Sequence, residues 1–254
     1  NVQWTGRIAR SEGDRATWSY CRIHGNYNGP ATDAAGLGID DGDDVVVEYC
    51  TIWGVHGDCI IVDDTPPTPL STVIRYNTLY TTLGPCAENG VDMKVGGTAG
   101  NPALIHDNTL YGFRSCTGTC GGSGNPRGEA IGVRNDGDHV EIYNNEIYDC
   151  STAIVLDDNV DDIEVYRNVI HDMANPADDT HADSLSAFWI RARNADIYHN
   201  TVDNVPGDSV YIYSATNVTI ENNIFHDCGG VTGETLSGYS ADYNLWSGCT
   251  ETLP

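Results

Sequence analysis

Lysine is almost missing from this chain. Lys94 is the one lysine in 254 residues, and lysine and arginine together number 12 against 37 aspartates and glutamates. The net charge of −25 removes the basic footprint that phosphate binding requires, so nucleic acid is set aside as a partner. No run approaches the ~20 apolar residues that cross a bilayer, so no membrane span is expected. Charged helix formers are sparse while Gly numbers 28 and Tyr 14, so long helices are not expected either. No Cys-x-x-Cys pair, EF-hand loop or nonapeptide calcium repeat is present. The chain opens at Asn1 without Met or an apolar leader, and a processed, secreted or extracellular chain is the expectation.

What the sequence does contain is a repeat. Tyr-Cys-Arg-Ile and Tyr-Cys-Thr-Ile are followed by Arg-Tyr-Asn-Thr-Leu, His-Asp-Asn-Thr-Leu, Tyr-Asn-Asn-Glu-Ile and further copies ending at Trp246. Their central residues are Cys21, Cys50, Asn77, Asn108, Asn145, Asn168, Asn200, Asn223 and Asn244, spaced 29, 27, 31, 37, 23, 32, 23 and 21 residues apart. In most units a short strand precedes the centre, an apolar pair follows it, and a second strand comes next. Those second strands are 36–40, 58–63, 90–94, 130–134, 153–157, 187–191 and 209–213. Short strands at a period of ~20–30 residues, with Asn/Asp/Gly turns and no helix between them, predict a parallel solenoid. Stacked Asn amides suit its corners, because they can bond the backbone groups a corner leaves unpaired and each other from rung to rung.

These Asn-x-Ile/Leu/Val corners and the strand Gly-Val-Asp-Met-Lys at 90–94 resemble the right-handed parallel β-helix of the pectin-lyase-like superfamily. The resemblance covers about residues 18–246 and implies an all-β, single-domain right-handed parallel β-helix of about nine rungs with an Asn ladder. Residues 1–17 and 247–254 are then edge segments of that one domain, 1–254. The stretches 112–128 and 172–185 read as loops projecting from the rungs.

Aligning the second strands on Ile39, Val62, Met93, Val133, Leu156, Ile190 and Ile212 as inward residues gives an outward column. It reads Asp40, Asp63, Lys94, Arg134, Asp157, Arg191, Tyr213, and the outward column two residues earlier contains Asp92, Trp189 and Tyr211. Cations, carboxylates and aromatic rings on one strip suit an acidic polysaccharide, with Arg191, Trp189, Tyr211 and Tyr213 as binding residues. A lyase acting on such a polymer must neutralise a uronate carboxylate and remove the neighbouring carbon-bound proton. The strip resembles the alginate and chondroitin lyases of the β-helix class, which implies Lys94 as base, Arg134 as cationic stabiliser, and a Ca²⁺ held by Asp63, Glu88 and Asp92. The dense acidic turns that begin at Asp40 and at Asp157-Asp158 are further candidate Ca²⁺ ligands. The competing reading of the same column is a set of ordinary ion pairs along stacked strands.

The nine cysteines favour an oxidising compartment. Cys21 and Cys50 share a column on neighbouring rungs, as a bridge or as a thiol pair. Cys116 and Cys120 staple their loop or reach Cys86, Cys228 can pair with Cys249, and Cys150 and Cys228 are too many rungs apart. A third column, three residues past each corner, reads His24, Trp53, Tyr80, Tyr111, Tyr148, His171, Asp203 and His226 and is a candidate aromatic ladder or a surface packed under neighbouring loops. Asn217-Val218-Thr219 is a glycosylation sequon. Two functions stay open: a protein that binds, and by β-elimination cleaves, an acidic polysaccharide; and a structural protein whose β-helix ends stack head to tail into filaments.

Overall fold

The computed structural model describes residues 7–26, 35–55, 57–63, 69–81, 88–115, 128–174, 185–234 and 238–249. Every regular element among them is a strand, and the 27 strands fall into three parallel sheets of nine strands each. Sheet A consists of β1 (Ala9–Ser11), β4 (Leu37–Asp40), β7 (Ile60–Asp63), β10 (Asn89–Val95), β13 (Glu129–Asp136), β16 (Thr152–Leu156), β19 (Ser186–Ile190), β22 (Asp208–Ile212) and β25 (Val231–Gly233). Each is followed by one strand of sheet B and one of sheet C, so three strands make a rung. The solenoid therefore begins earlier than the first Tyr-Cys corner: β1 already pairs with β4, although its Ala-Arg-Ser carries no apolar alternation.

The corner between sheets B and C is where the repeat is written. The residue before each ladder position is left-handed at all nine corners, with φ between +53° and +57° at Tyr20, Tyr49, Tyr76, Asp107, Asn144, Arg167, His199, Asn222 and Tyr243. That conformation costs an L-residue about 1–2 kcal/mol, and the ladder offsets it. Asn145 Nδ2 donates to the Ile105 carbonyl at 2.9 Å and to Asn168 Oδ1 at 3.0 Å, while its own Oδ1 accepts from the Asn108 backbone N–H at 3.0 Å. The same set recurs from Asn77 to Asn223. Cys21 and Cys50 occupy the column as free thiols, and Cys50 Sγ accepts the Cys21 N–H at 3.4 Å in place of an amide oxygen.

The interior is a filled apolar column in which the aligned residues Ile39, Val62, Met93, Val133, Leu156, Ile190 and Ile212 are all buried. Outside, rings stack along the helix axis. His24, Trp53, Tyr80, Tyr111, Tyr148 and His171 form an unbroken ladder with centroid spacings of 4.3, 5.8, 4.9, 4.8 and 5.2 Å.

Cys228 and Cys249, on adjacent rungs, bring their sulfurs to 2.8 Å. Rung spacing of ~4.8 Å suits the Cα separation of a disulfide. Under oxidising conditions a peptide map run without reductant is expected to show these two cysteines cross-linked. Reductant should then lower the melting temperature by several degrees. Two separate peptides with free thiols after oxidation would refute the pairing. The predicted bridges of Cys86, Cys116 and Cys120, and the chain-end contacts of a filament, fall on residues outside those described.

Candidate functional site

The strip predicted from the sequence lies on the outer face of sheet A, and its centre is Arg134. Strands β10 and β13 run in register from Asn89 opposite Glu129 to Met93 opposite Val133, after which Val95 faces Asp136. The extra residue is a bulge at Arg134-Asn135, with Asn135 at φ +58°. A bulge re-aims the side chain beside it. Arg134 folds back along its own strand and donates through Nη2 to the carboxylate of Glu129 and through Nη1 to Asp92 Oδ1 at 2.7 Å. Its Nε stands 3.8 Å from Asp157 Oδ2. Gly132 leaves the space for this path, since a Cβ there would meet Arg134 Nη1 at 2.6 Å. Burial opposes the charge on Arg134, but the carboxylates of Glu129 and Asp92 outweigh it and hold the guanidinium above its ordinary pKa.

Lys94 Nζ stands 3.4 Å from Asp92 Oδ2, so Asp92 is shared between Lys94 and Arg134. The expected neighbour Asp63 instead lies 3.7 Å from Arg7. Two rungs beyond Arg134, Arg191 approaches Asp157 and Asp158, each at 3.3 Å. Its guanidinium lies over the Tyr213 ring at 4.6 Å and the Trp189 ring at 5.8 Å. Trp189 stacks on Tyr211 and Tyr213 with centroids 6.4 and 6.1 Å away. Trp189 itself is buried, so it forms a floor while the two half-buried tyrosines offer their surface.

The predicted residues thus divide. Asp92, Lys94, Arg134, Asp157, Asp158, Trp189, Arg191, Tyr211 and Tyr213 form one continuous cluster over five strands, about 19 Å at the spacing of parallel strands. Asp40 is separate, held by Arg7 and Arg10. Glu88 sits just before β10 and contributes its backbone carbonyl to the Glu129 N–H at 3.0 Å. The calcium set Asp63, Glu88, Asp92 does not fit the geometry. Among the described residues no three acidic, His or Cys side chains converge on a cation position, and both Asp92 oxygens face cationic side chains.

Three members were not foreseen. Glu129 is fully buried, and Asn89 Nδ2 donates to the buried Asp58 Oδ1 at 2.6 Å in the same column. Strict alternation from Val133 and Ile131 would point Glu129 inward. Instead Ala130 and Ile131 both face the core. The visible signal is a column of small residues (Gly36, Cys59, Gly90, Ala130, Ala153, Ala187, Ser209) just ahead of the large inward ones. At Gly90 a Cβ would lie 2.9 Å from Leu110 and 3.0 Å from Phe113.

A family model described as the right handed beta helix region matches residues 35–244. The chain belongs to that family. No curated protein matches this β-helix chain in sequence. Among solved structures, DFA-IIIase from Arthrobacter chlorophenolicus A6 in complex with GF2 superposes with a TM-score of 0.59 at 12% identity, over 84% of this chain and 54% of its own. Alginate lyase from Paenibacillus sp. str. FPU-7 gives 0.50 at 14%, over 95% and 74%. The enzymatically active domain of tailspike protein 2 of bacteriophage CBA120 gives 0.51 at 12%, over 90% and 38%. The β-helix chain spans about half the length of the DFA-IIIase it matches, and identities this low establish the shared fold, not a shared reaction.

Proposed function

We propose that this protein binds an extracellular acidic polysaccharide along the outer face of sheet A and cleaves it by β-elimination. The observation that carries the reading is the layering of charge. The side chains of Lys94, Arg134 and Arg191 are 25%, 20% and 29% exposed, whereas those of Asp92 and Glu129 beneath them are 6% and 0% exposed. In a chain of net charge −25, this strip holds three cations at its surface over two buried acids, Asp92 and Glu129, while Asp157 and the exposed Asp158 flank Arg191. A carboxylated polymer meets positive groups already held in place, which need little reorganisation on binding.

The roles follow from what each cation has left to give. Arg134 is committed to Asp92 and Glu129 and supplies a fixed positive charge. Arg191, beside Tyr211 and Tyr213, supplies the grip, with the guanidinium on a carboxylate and the rings against the sugar. Lys94, at the β10 end of the cluster, takes the carbon-bound proton as the neutral amine; the C–O bond to the leaving sugar breaks as the double bond forms, and the leaving oxygen takes a proton from water. Of the superposed structures, the alginate lyase is the one named for an acidic polysaccharide; what all three lend here is a shared scaffold.

The test is ultraviolet absorbance of the unsaturated product on incubation with alginate, pectate or chondroitin. Lys94→Ala should lower that rate by about a hundredfold or more while leaving binding in place. An unchanged rate in Lys94→Ala would remove Lys94 from the mechanism. The absence of product on all three polymers would remove the elimination step and leave the binding reading to be judged separately.

A further inference from the structure

The acidic excess is not spread evenly; the register concentrates it on sheet B. Strands β14 (Val140–Tyr143), β17 (Asp161–Tyr166) and β20 (Arg193–Tyr198) place Glu141 directly opposite Glu164 and Glu164 directly opposite Asp196. On the next rungs Glu221 lies opposite Asp242. None of these five carboxylates has an ion pair among the described residues. Glu141 and Glu164 are instead fixed by neutral donors, the hydroxyls of Tyr166 at 2.9 Å and Tyr198 at 2.8 Å. The basic side chains beside this face meet other acids: Arg193 is 3.9 Å from Asp161, its register partner, and His139 is 3.3 Å from Asp162. Elsewhere the fold pairs such charges. Arg75 engages Glu48 one rung away on the same sheet, and on sheet A Arg7 stands between Asp40 and Asp63.

Like charges directly opposite on neighbouring strands are destabilising. Here they line an open groove of about 620 Å³ over Val140 and Ile163, so water and salt reach them. The length scale decides what salt does. Rungs stand ~4.8 Å apart. The Debye length is about 8 Å at physiological ionic strength and about 3 Å at 1 M. Ordinary salt leaves neighbouring carboxylates coupled, and only salt near molar concentration screens one from the next. A strong net charge adds a general self-repulsion with the same remedy.

We infer that the folded solenoid depends on molar concentrations of monovalent salt for its stability, and that the carboxylate column Glu141–Glu164–Asp196 is a principal source of that dependence. The effect is diffuse screening by hydrated cations, with no discrete metal site. It also accounts for the near-absence of lysine together with an unpaired acidic face: in such a solvent, surface acids no longer need partners. The inference is independent of the sheet A reading.

The experiment is thermal unfolding of the full chain, followed by circular dichroism at neutral pH in about 0.05 M and about 2 M KCl. The melting temperature is expected to rise by at least about 10 °C. The variant E141Q/E164Q/D196N keeps the oxygens that the tyrosine hydroxyls donate to and removes the charge. It should melt higher than the parent in low salt and gain less from KCl. Equal melting temperatures in the two salts would overturn the inference. So would a full gain from about 10 mM CaCl₂ in low salt, which would mean a specific divalent site. A triple variant whose salt gain equals the parent's would overturn the role of the column.

Discussion

Arg134→Met is expected to lower the stability of this protein by about 3–5 kcal/mol, because it takes from the buried carboxylates of Glu129 and Asp92 the guanidinium that balances them both, with Lys94 still beside Asp92. At the size of this domain that is a fall in melting temperature on the order of 10 °C. The pair itself is not expected to be worth so much. Taking two carboxylates and a guanidinium out of water is costly, and their attraction roughly returns that cost. The test separates the two statements. Adding Glu129→Gln and Asp92→Asn to Arg134→Met should recover most of the loss, since amides tolerate burial far better than stranded carboxylates. Should Arg134→Met melt within about 2 °C of the parent, the cluster is not the buried network described above.

Asn145→Ala is expected to remove a comparable amount by a different route. Asn145 is buried at the middle of the ladder. Its loss leaves the Ile105 carbonyl and the Asn108 backbone N–H without the amide that satisfies them. Each orphaned buried group costs about 1–3 kcal/mol, so about 4 kcal/mol is expected in total. The neighbouring rungs depend on each other alone, so the damage should centre on the corners of Asn108 and Asn168. Hydrogen exchange checks this: the amides of Asn108 and its neighbours should lose protection first, while those around Asn223 keep theirs. Uniform loss along the chain would contradict a ladder built rung by rung.

These two residues also show what sequence reading can and cannot see. The ladder was legible because one chemical need, satisfying a left-handed corner, recurs at every rung and admits few side chains. Asn at seven of the nine positions is the result. The sheet A residues around Lys94 were legible in direction, because alternation holds from Val91 to Lys94. Glu129 was not, because two successive residues turn inward where the chain bends into the sheet, and alternation counted backwards from Val133 breaks there. Strands β1 and β25 were missed for a plainer reason: three residues each, Ala-Arg-Ser and Val-Thr-Gly, pair through their backbones and carry no pattern. The partners of Asp63 and Asp40 were out of reach too, because Arg7 comes from the lead-in to β1 and Arg10 from β1 itself, a strand with no apolar alternation.

The Ca²⁺ expectation shows the limit of counting charges. Asp63, Asp92 and Asp157 are acidic and near one another in the column, yet each faces an arginine. The arginines and Lys94 do what a cation would otherwise be required to do. The same contrast marks the Glu141–Glu164–Asp196 column of sheet B, where the carboxylates have no ion pair among the described residues. Salt should therefore act on the two faces in opposite senses, stabilising the fold through sheet B and weakening long-range attraction of an anionic polymer to sheet A.

The central claim, that the outer face of sheet A holds an acidic polysaccharide, is tested most directly by affinity electrophoresis in gels containing a polyuronate or a neutral glucan. The parent protein should be retarded by the polyuronate and not by the glucan. Arg191→Gln and Tyr213→Ala should each weaken the retardation by about 10- to 30-fold in apparent affinity, and Asp196→Asn on sheet B should leave it unchanged. Equal retardation by both polymers, or Arg191→Gln and Tyr213→Ala proteins that migrate as the parent does, would contradict it.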